Sequence, residues 1–261
     1  MKFSVLGRFE VAHSDRSYTP SAPKVRQVLA VLALRATQVV SVDALIEELW
    51  GENSPKSAVT TAQTYIYQLR QMFRAPGDGD RALCAISTRP PGYTLEIDSD
   101  HIDASAFNHM LDQGRRLLEE NQAREAGLML RRALALWSGP ALANVTCGPL
   151  LRRYATHLEE SRITALELRI AADMRIGRHR ALIAELSSLV SLHPFNEWLH
   201  AQLIISLYRA GRRGDALRAY QQLRQTLSHE LGLDPSAELQ NIHRAVLSSD
   251  QPSGQMLEVP L

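Results

Sequence analysis

Apolar and polar residues alternate along Phe3-Ser4-Val5-Leu6-Gly7-Arg8-Phe9-Glu10-Val11, a period that predicts a strand. Residues 16–20 add a short second one. The pattern then turns helical. Pro23-Lys24 opens a run in which Val25, Val28, Leu29 and Leu32 share one face, ending near Thr37. Val39-Val40 reads as a brief extended piece, and Ser41 as the cap of a helix carrying Val42, Leu45, Ile46, Leu49 and Trp50, with Gly51 at its end. Ser54-Pro55 reads as the cap and first position of a third helix. Its stripe is Val59, Ala62, Ile66, Leu69 and Phe73. After a loop at Pro76-Gly77-Asp78-Gly79, residues 83–88 and 93–97 read as two strands joined by Arg89-Pro90-Pro91-Gly92.

From about Ile102 the period is helical throughout. Segments near 103–120 and 123–137 flank Asn121. Breaks follow at Ser138-Gly139-Pro140 and Cys147-Gly148-Pro149, and helices resume near 150–176, 179–193, 196–210, 214–230 and 236–248. Gly177-Arg178 and Gly211-Arg212 recur 34 positions apart, followed by Ala181-Leu182 and Ala216-Leu217, then by Pro194 and Pro235. That is the period of tetratricopeptide helix pairs, in which each pair buries its face against the next. The expected fold class is therefore mainly α. An α+β winged helix-turn-helix domain over residues 1–98 precedes an all-α, tetratricopeptide-like repeat domain over residues 102–249, and residues 250–261 form a frayed tail.

Composition narrows the class. Hydrophobic residues make up 45% and charged residues 22% of the chain, enough for a packed core. No apolar run nears the roughly 20 residues of a membrane-spanning helix, and the alternating start has no signal-peptide cleavage site. A cytosolic protein without a membrane role is expected. Cys84 and Cys147 have no ligand spacing, and Cys84 belongs on an apolar strand face. Nine scattered histidines make no HExxH or zinc-spaced pair. No GxxxxGK[ST] loop is present. Glu47 and Glu48, being adjacent, diverge on a helix and cannot share a proton. No catalytic, metal or cofactor site is expected, and an enzyme is the weakest reading.

The net charge of +1 says little, but its distribution says more. No acid lies between Glu52 and Asp78, a window that holds Lys56, Arg70 and Arg74. On a 100° wheel, Thr60, Thr64, Tyr67 and Gln71 lie opposite the stripe, with Gln68 to one side, Lys56 and Arg74 to the other, and Arg70 at its edge. Such a face offers donors, acceptors, methyl groups and an aromatic edge flanked by cations, as a DNA groove requires. A carboxylate there would repel phosphates. A solvated helix face has the same composition, so context decides. A short turn before this helix and a hairpin after it describe a winged helix-turn-helix, whose second helix enters the major groove. Arg89, at the hairpin tip, suits the adjacent minor groove. Residues 99–261 carry balanced charge and read as a surface for dimer contacts, contacts to the first domain, or both, with a small-ligand pocket left open; their arginines are expected mostly on solvated faces or paired within a helix.

Several stretches resemble a known family. Tyr65-Ile66-Tyr67-Gln68-Leu69-Arg70 and Ser87-Thr88-Arg89-Pro90-Pro91-Gly92-Tyr93 are similar to the OmpR-type winged helix-turn-helix. Together with the runs from Pro23 to Leu29 and from Val39 to Gly51, they resemble the Streptomyces antibiotic regulatory protein (SARP) family. Trp137-Ser138-Gly139-Pro140-Ala141-Leu142, His193-Pro194-Phe195-Asn196-Glu197 and Glu230-Leu231-Gly232-Leu233-Asp234-Pro235 resemble its bacterial transcriptional activation domain. The resemblance implies an activator of a secondary-metabolite (antibiotic) gene cluster. It implies binding to direct repeats in double-stranded DNA near a promoter and recruitment of RNA polymerase, including its sigma factor. It also implies DNA contacts by Thr60, Thr61, Thr64, Tyr65, Tyr67, Gln68 and Arg70, with Arg89 from the wing; the wheel adds Gln71, Lys56 and Arg74. Tyr67, Gln68 and Gln71 stand where basic residues are common, so two copies are expected to cooperate as a homodimer on DNA. A repressor of the same fold and a helical-repeat scaffold remain alternative readings.

Overall fold

The computed structural model describes residues 1–14, 16–74 and 84–248. The expected loop at 76–79, the first residue of the 83–88 strand and the tail at 250–261 lie outside the described residues. The chain divides into two compact units, one of residues 1–115 with 128–166 and one of residues 116–127 with 167–261.

The first unit opens with β1 (Lys2–Ser4), β2 (Glu10–His13) and β3 (Arg16–Ser17), an antiparallel sheet in that order, with Phe3 opposite Val11. The single strand expected over residues 3–11 is thus two strands. Gly7, at φ 147°, lies in the loop between them, and alternation alone carries no mark of where a strand folds back. Helix α1 (Pro23–Leu34), β4 (Val40–Ser41), α2 (Val42–Trp50) and α3 (Ala58–Met72) follow, then the hairpin β5 (Ala85–Arg89) and β6 (Gly92–Glu96). A second antiparallel sheet has the order β4-β6-β5, with Val40 opposite Tyr93 and Ser87 opposite Thr94. The core of the unit includes Phe3, Phe9, Leu29, Leu32, Leu45, Ile66, Leu69, Phe73 and Leu95, all fully buried.

A short 3₁₀ turn leads into α4 (Asp103–Glu119), followed by α5 (Ala123–Leu134) and α6 (Pro149–Arg175). The start of α4 and the segment between α5 and α6 complete the first unit through polar bonds. The Asp103 carboxylate accepts from the Val5 N–H at 2.8 Å and the Leu6 N–H at 3.2 Å. Asn144 Oδ1 accepts from the Phe9 N–H at 2.7 Å. The Ser138, Leu142 and Ala143 amides donate to the carbonyls of Leu6, Val5 and Gly7. Phe107 meets Trp137 edge to face at 5.5 Å.

The second unit holds α7 (His179–Leu192), α8 (Glu197–Arg209), α9 (Arg213–Leu231) and α10 (Ala237–Leu247). The 34-residue recurrence reappears as geometry. Gly177 (φ 76°) and Gly211 (φ 80°) are left-handed, and the next amide in each case reaches back five residues, Arg178 to the Asp173 carbonyl and Arg212 to the Leu207 carbonyl. Both are Schellman closures. Asn121 (φ 60°) makes a third, with Gln122 donating to Leu117; the sequence recurrence misses it because Asn replaces Gly. The arginines of this half are expected mostly on solvated faces or as partners within a helix; Arg169 is of the second kind and is 5% exposed. It pairs with Asp173 at 3.4 Å and takes Glu185 with both terminal nitrogens, tying α6 to α7. His243 stacks on Tyr220 at 3.9 Å, and His200 Nε2 lies 3.1 Å from the Pro194 carbonyl. Among the described residues no helix is long and apolar enough to cross a membrane.

Candidate nucleic-acid interface

Ser41 Oγ accepts from the Ala44 N–H at 3.1 Å and caps α2, as its position in the sequence predicts. Gly51 ends that helix. The next one begins at Ala58, three residues beyond the expected opening at Ser54-Pro55. The Pro55 carbonyl instead accepts from the Ala58 N–H at 2.9 Å, in a turn ahead of the helix. Proline's fixed φ suits either place, so the dipeptide does not separate them.

Ala58, Ala62, Ile66, Leu69 and Phe73 form the buried stripe of α3. Val59 departs from the expected stripe. It is 48% exposed, because Ala58 takes the inward position at the first turn and leaves Val59 on the flank. The phase of the helix is otherwise the expected one. Thr60, Thr64, Tyr67 and Gln68 are exposed, as are Lys56 ahead of the helix and Arg74 after it. Thr61, Tyr65, Arg70 and Gln71 are half-buried. Gln63, missing from the expected set, is exposed on the same face; the 100° spacing sets it within about 60° of Thr60.

The hydroxyls of this face are already oriented. Thr61 Oγ1 donates to the Ser57 carbonyl and Thr64 Oγ1 to the Thr60 carbonyl, each at 2.9 Å. Their hydrogens are used within the helix, which leaves oxygen lone pairs and methyl groups for a partner.

Of the three arginines expected at DNA, Arg70 and Arg89 differ in setting. Arg70 Nε donates to the Ile86 carbonyl at 2.8 Å and its Nη2 to Thr88 Oγ1 at 2.9 Å. Its guanidinium also lies 5.8 Å from the centre of the Tyr93 ring. It fastens α3 to the β5–β6 hairpin. Arg89 ends β5 opposite Gly92, and its side chain is 63% exposed. Its Nη2 is 3.4 Å from Glu96 Oε1, which also accepts from Ser87 Oγ at 2.6 Å. The Ser87 hydroxyl, and then Arg89, hold the Glu96 carboxyl below the usual carboxylate range. An exposed pair of this kind is weak, so the guanidinium can exchange Glu96 for a phosphate at little cost.

Residues 53–77 contain no acid. The α3 face therefore presents amides, lone pairs, methyl groups and a phenol, with cations at its ends and a hairpin beside it. Among the described residues no group of three or more His, Cys, Asp or Glu side chains could hold a metal ion.

Two family descriptions match the chain. "Bacterial transcriptional activator domain" covers residues 102–247, and "Transcriptional regulatory protein, C terminal" covers residues 18–95. Regulatory protein DnrI of Streptomyces peucetius is 42% identical over 253 residues, 96% of this chain and 93% of DnrI. Transcriptional regulator RedD of Streptomyces coelicolor is 35% identical over 260 residues, 100% of this chain and 73% of RedD. A solved structure of Mycobacterium tuberculosis EmbR, in complex with a low-affinity phosphopeptide, matches with a TM-score of 0.86 at 32% identity. It covers 94% of this chain and 64% of the EmbR chain. These matches are to transcriptional regulators, not to enzymes.

Proposed function

The chain belongs to the Streptomyces antibiotic regulatory protein family of transcriptional regulators, and from that premise we propose that it is a sequence-specific DNA-binding activator of a secondary-metabolite gene cluster. In this reading α3 enters the major groove. Thr60, Gln63, Thr64, Tyr67 and Gln68 face base edges, and Lys56 and Arg74 meet phosphates. Arg89 carries the hairpin toward the neighbouring minor groove. Two copies occupy direct repeats near the promoter, and the helical half recruits RNA polymerase with its sigma factor. The functional boundary lies between residues 98 and 102, although residues 128–166 pack into the same compact unit as the winged module.

The observation that carries this reading is the exposed, acid-free face of α3 beside the β5–β6 hairpin. Footprinting on promoters of the neighbouring gene cluster, repeated at 50 and 200 mM salt, tests it. The expected result is protection of paired repeats, with affinity falling about 10³-fold or more if six or more phosphates are contacted. Absence of a footprint, or affinity indifferent to salt, would leave the fold as a protein-binding scaffold.

A further inference from the structure

Glu48 is the buried charge of α2, 3% exposed. Its carboxylate lies against a turn 100 residues further along the chain. Oε1 accepts from the Gly148 N–H at 2.6 Å, and Oε2 accepts from the Leu150 N–H at 2.8 Å and the Leu151 N–H at 3.2 Å. Pro149, between them, has no N–H to satisfy. Glu48 thus serves every free amide from Gly148 to Leu151, the first turn of α6. Gln27 steadies it from α1: its Nε2 donates to Glu48 Oε1 at 3.1 Å and to the Glu48 carbonyl at 2.8 Å.

A local cap would be the ordinary solution. Ser, Asp or Asn at position 148 could accept from the amides of α6 without burying a distant carboxylate. Glycine stands there instead. A Cβ on Gly148 would lie 2.1 Å from the Glu48 carbonyl oxygen, so the backbone of the α6 turn rests directly on the end of α2. Burying a carboxylate costs free energy, and its best-attested return is a unique orientation. Here the two parts oriented are α2, which carries α3 through the turn at 51–57, and the start of α6, both within the first unit.

We propose that Glu48 is a positioning residue for activation, resting on the function proposed above. It locks α2 to the first turn of α6 inside the first unit, so the DNA-bound winged module presents residues 148–166 of the helical half to RNA polymerase in one place. Glu48 contacts neither DNA nor polymerase. Severing the lock leaves a chain that occupies its DNA but does not activate.

The test uses the full chain, with Glu48→Ala as the principal variant. Affinity is measured by fluorescence anisotropy on the promoter DNA that the wild-type chain protects. Transcription from that promoter is then measured with RNA polymerase holoenzyme at saturating occupancy. The expected result is affinity within about threefold of wild type, with activation per bound chain down about tenfold or more. A fold-stabilising role alone would lower affinity and activation together, and saturation would restore transcription; that result overturns the proposal. So does full activation by the bound variant. If Glu48→Ala does not fold, Glu48→Gln and Gln27→Met carry the same two measurements, with a smaller activation defect expected and wild-type activation by both overturning the proposal. A wild-type chain that fails to bind or activate would count against the proposed function, not against the Glu48 lock.

Discussion

Arg70 of α3 donates through Nη2 to Thr88 Oγ1 on β5 at 2.9 Å, across 18 residues of sequence. With the Nε bond to the Ile86 carbonyl, one guanidinium fixes the angle between helix and hairpin. The two elements proposed to reach adjacent grooves are joined by a rigid planar fork.

Arg70→Ala should therefore act through this joint. Loss of two charge-assisted bonds at a half-buried site is expected to lower stability by about 1–2 kcal/mol. DNA affinity should fall while the slope of log K against log salt stays at the wild-type value. A direct phosphate contact would instead reduce that slope by about one. Arg70→Lys keeps the charge and loses the fork, so it should resemble alanine. Denaturant unfolding and a salt series on one promoter fragment separate the two roles.

The inward phase of α3 predicts opposite outcomes for two apolar residues. Leu69 is fully buried, and Val59 is 48% exposed. Leu69→Ala should cost about 2–5 kcal/mol through the cavity it leaves. Val59→Ala should change stability by less than about 0.5 kcal/mol. Chemical denaturation of both variants checks the pair; equal effects would mean the first turn of α3 is packed.

How far the sequence could be read depended on the range of the interaction. Ser41 capping α2, the stripe from Ala62 to Phe73, and the recurrence of Gly177 and Gly211 are local or periodic, and all were legible. The start of α3 was not, because Ser54-Pro55 serves a turn as well as a helix. Arg70 was legible as a stripe-edge residue, but its partners on β5 were not. The adjacency of Glu47 and Glu48 showed that they diverge, not that Glu48 alone is buried. Its partners lie a hundred residues away, where no spacing in the chain announces them. The same holds for Asp103 against Val5 and for Asn144 against Phe9.

Cys84 gives the fold a measurable alkaline edge. Burial pushes its thiol up to about 11, and the Glu96 charge adds to the effect. The folded value lies above the unfolded one, near 9.0. The contribution of the neutral thiol is thus complete below about pH 9 and is lost as pH rises toward 11. It amounts to about 2 kcal/mol at the upper end. Denaturant unfolding at pH 8, 10 and 11, with Cys84→Ala as the reference, should show the stability difference between the two shrinking with pH. A constant difference would show that Cys84 ionises freely in the folded chain.

The absence of acid around α3 can be tested by ending it. Thr64 is exposed, and its hydroxyl donates within its own helix to the Thr60 carbonyl, so Thr64→Glu should fold with wild-type stability, Glu being a good helix former. If α3 enters a groove, the new carboxylate is driven among phosphates. Affinity should then fall about tenfold or more at 50 mM salt on every sequence, with the deficit narrowing as salt screens the repulsion. Thr64→Gln, of the same shape without the charge, should lose less and lose it mainly at one base position. The pair separates electrostatic exclusion from base reading. A Thr64→Glu chain that binds promoter DNA as the wild type does would mean that α3 faces away from the duplex.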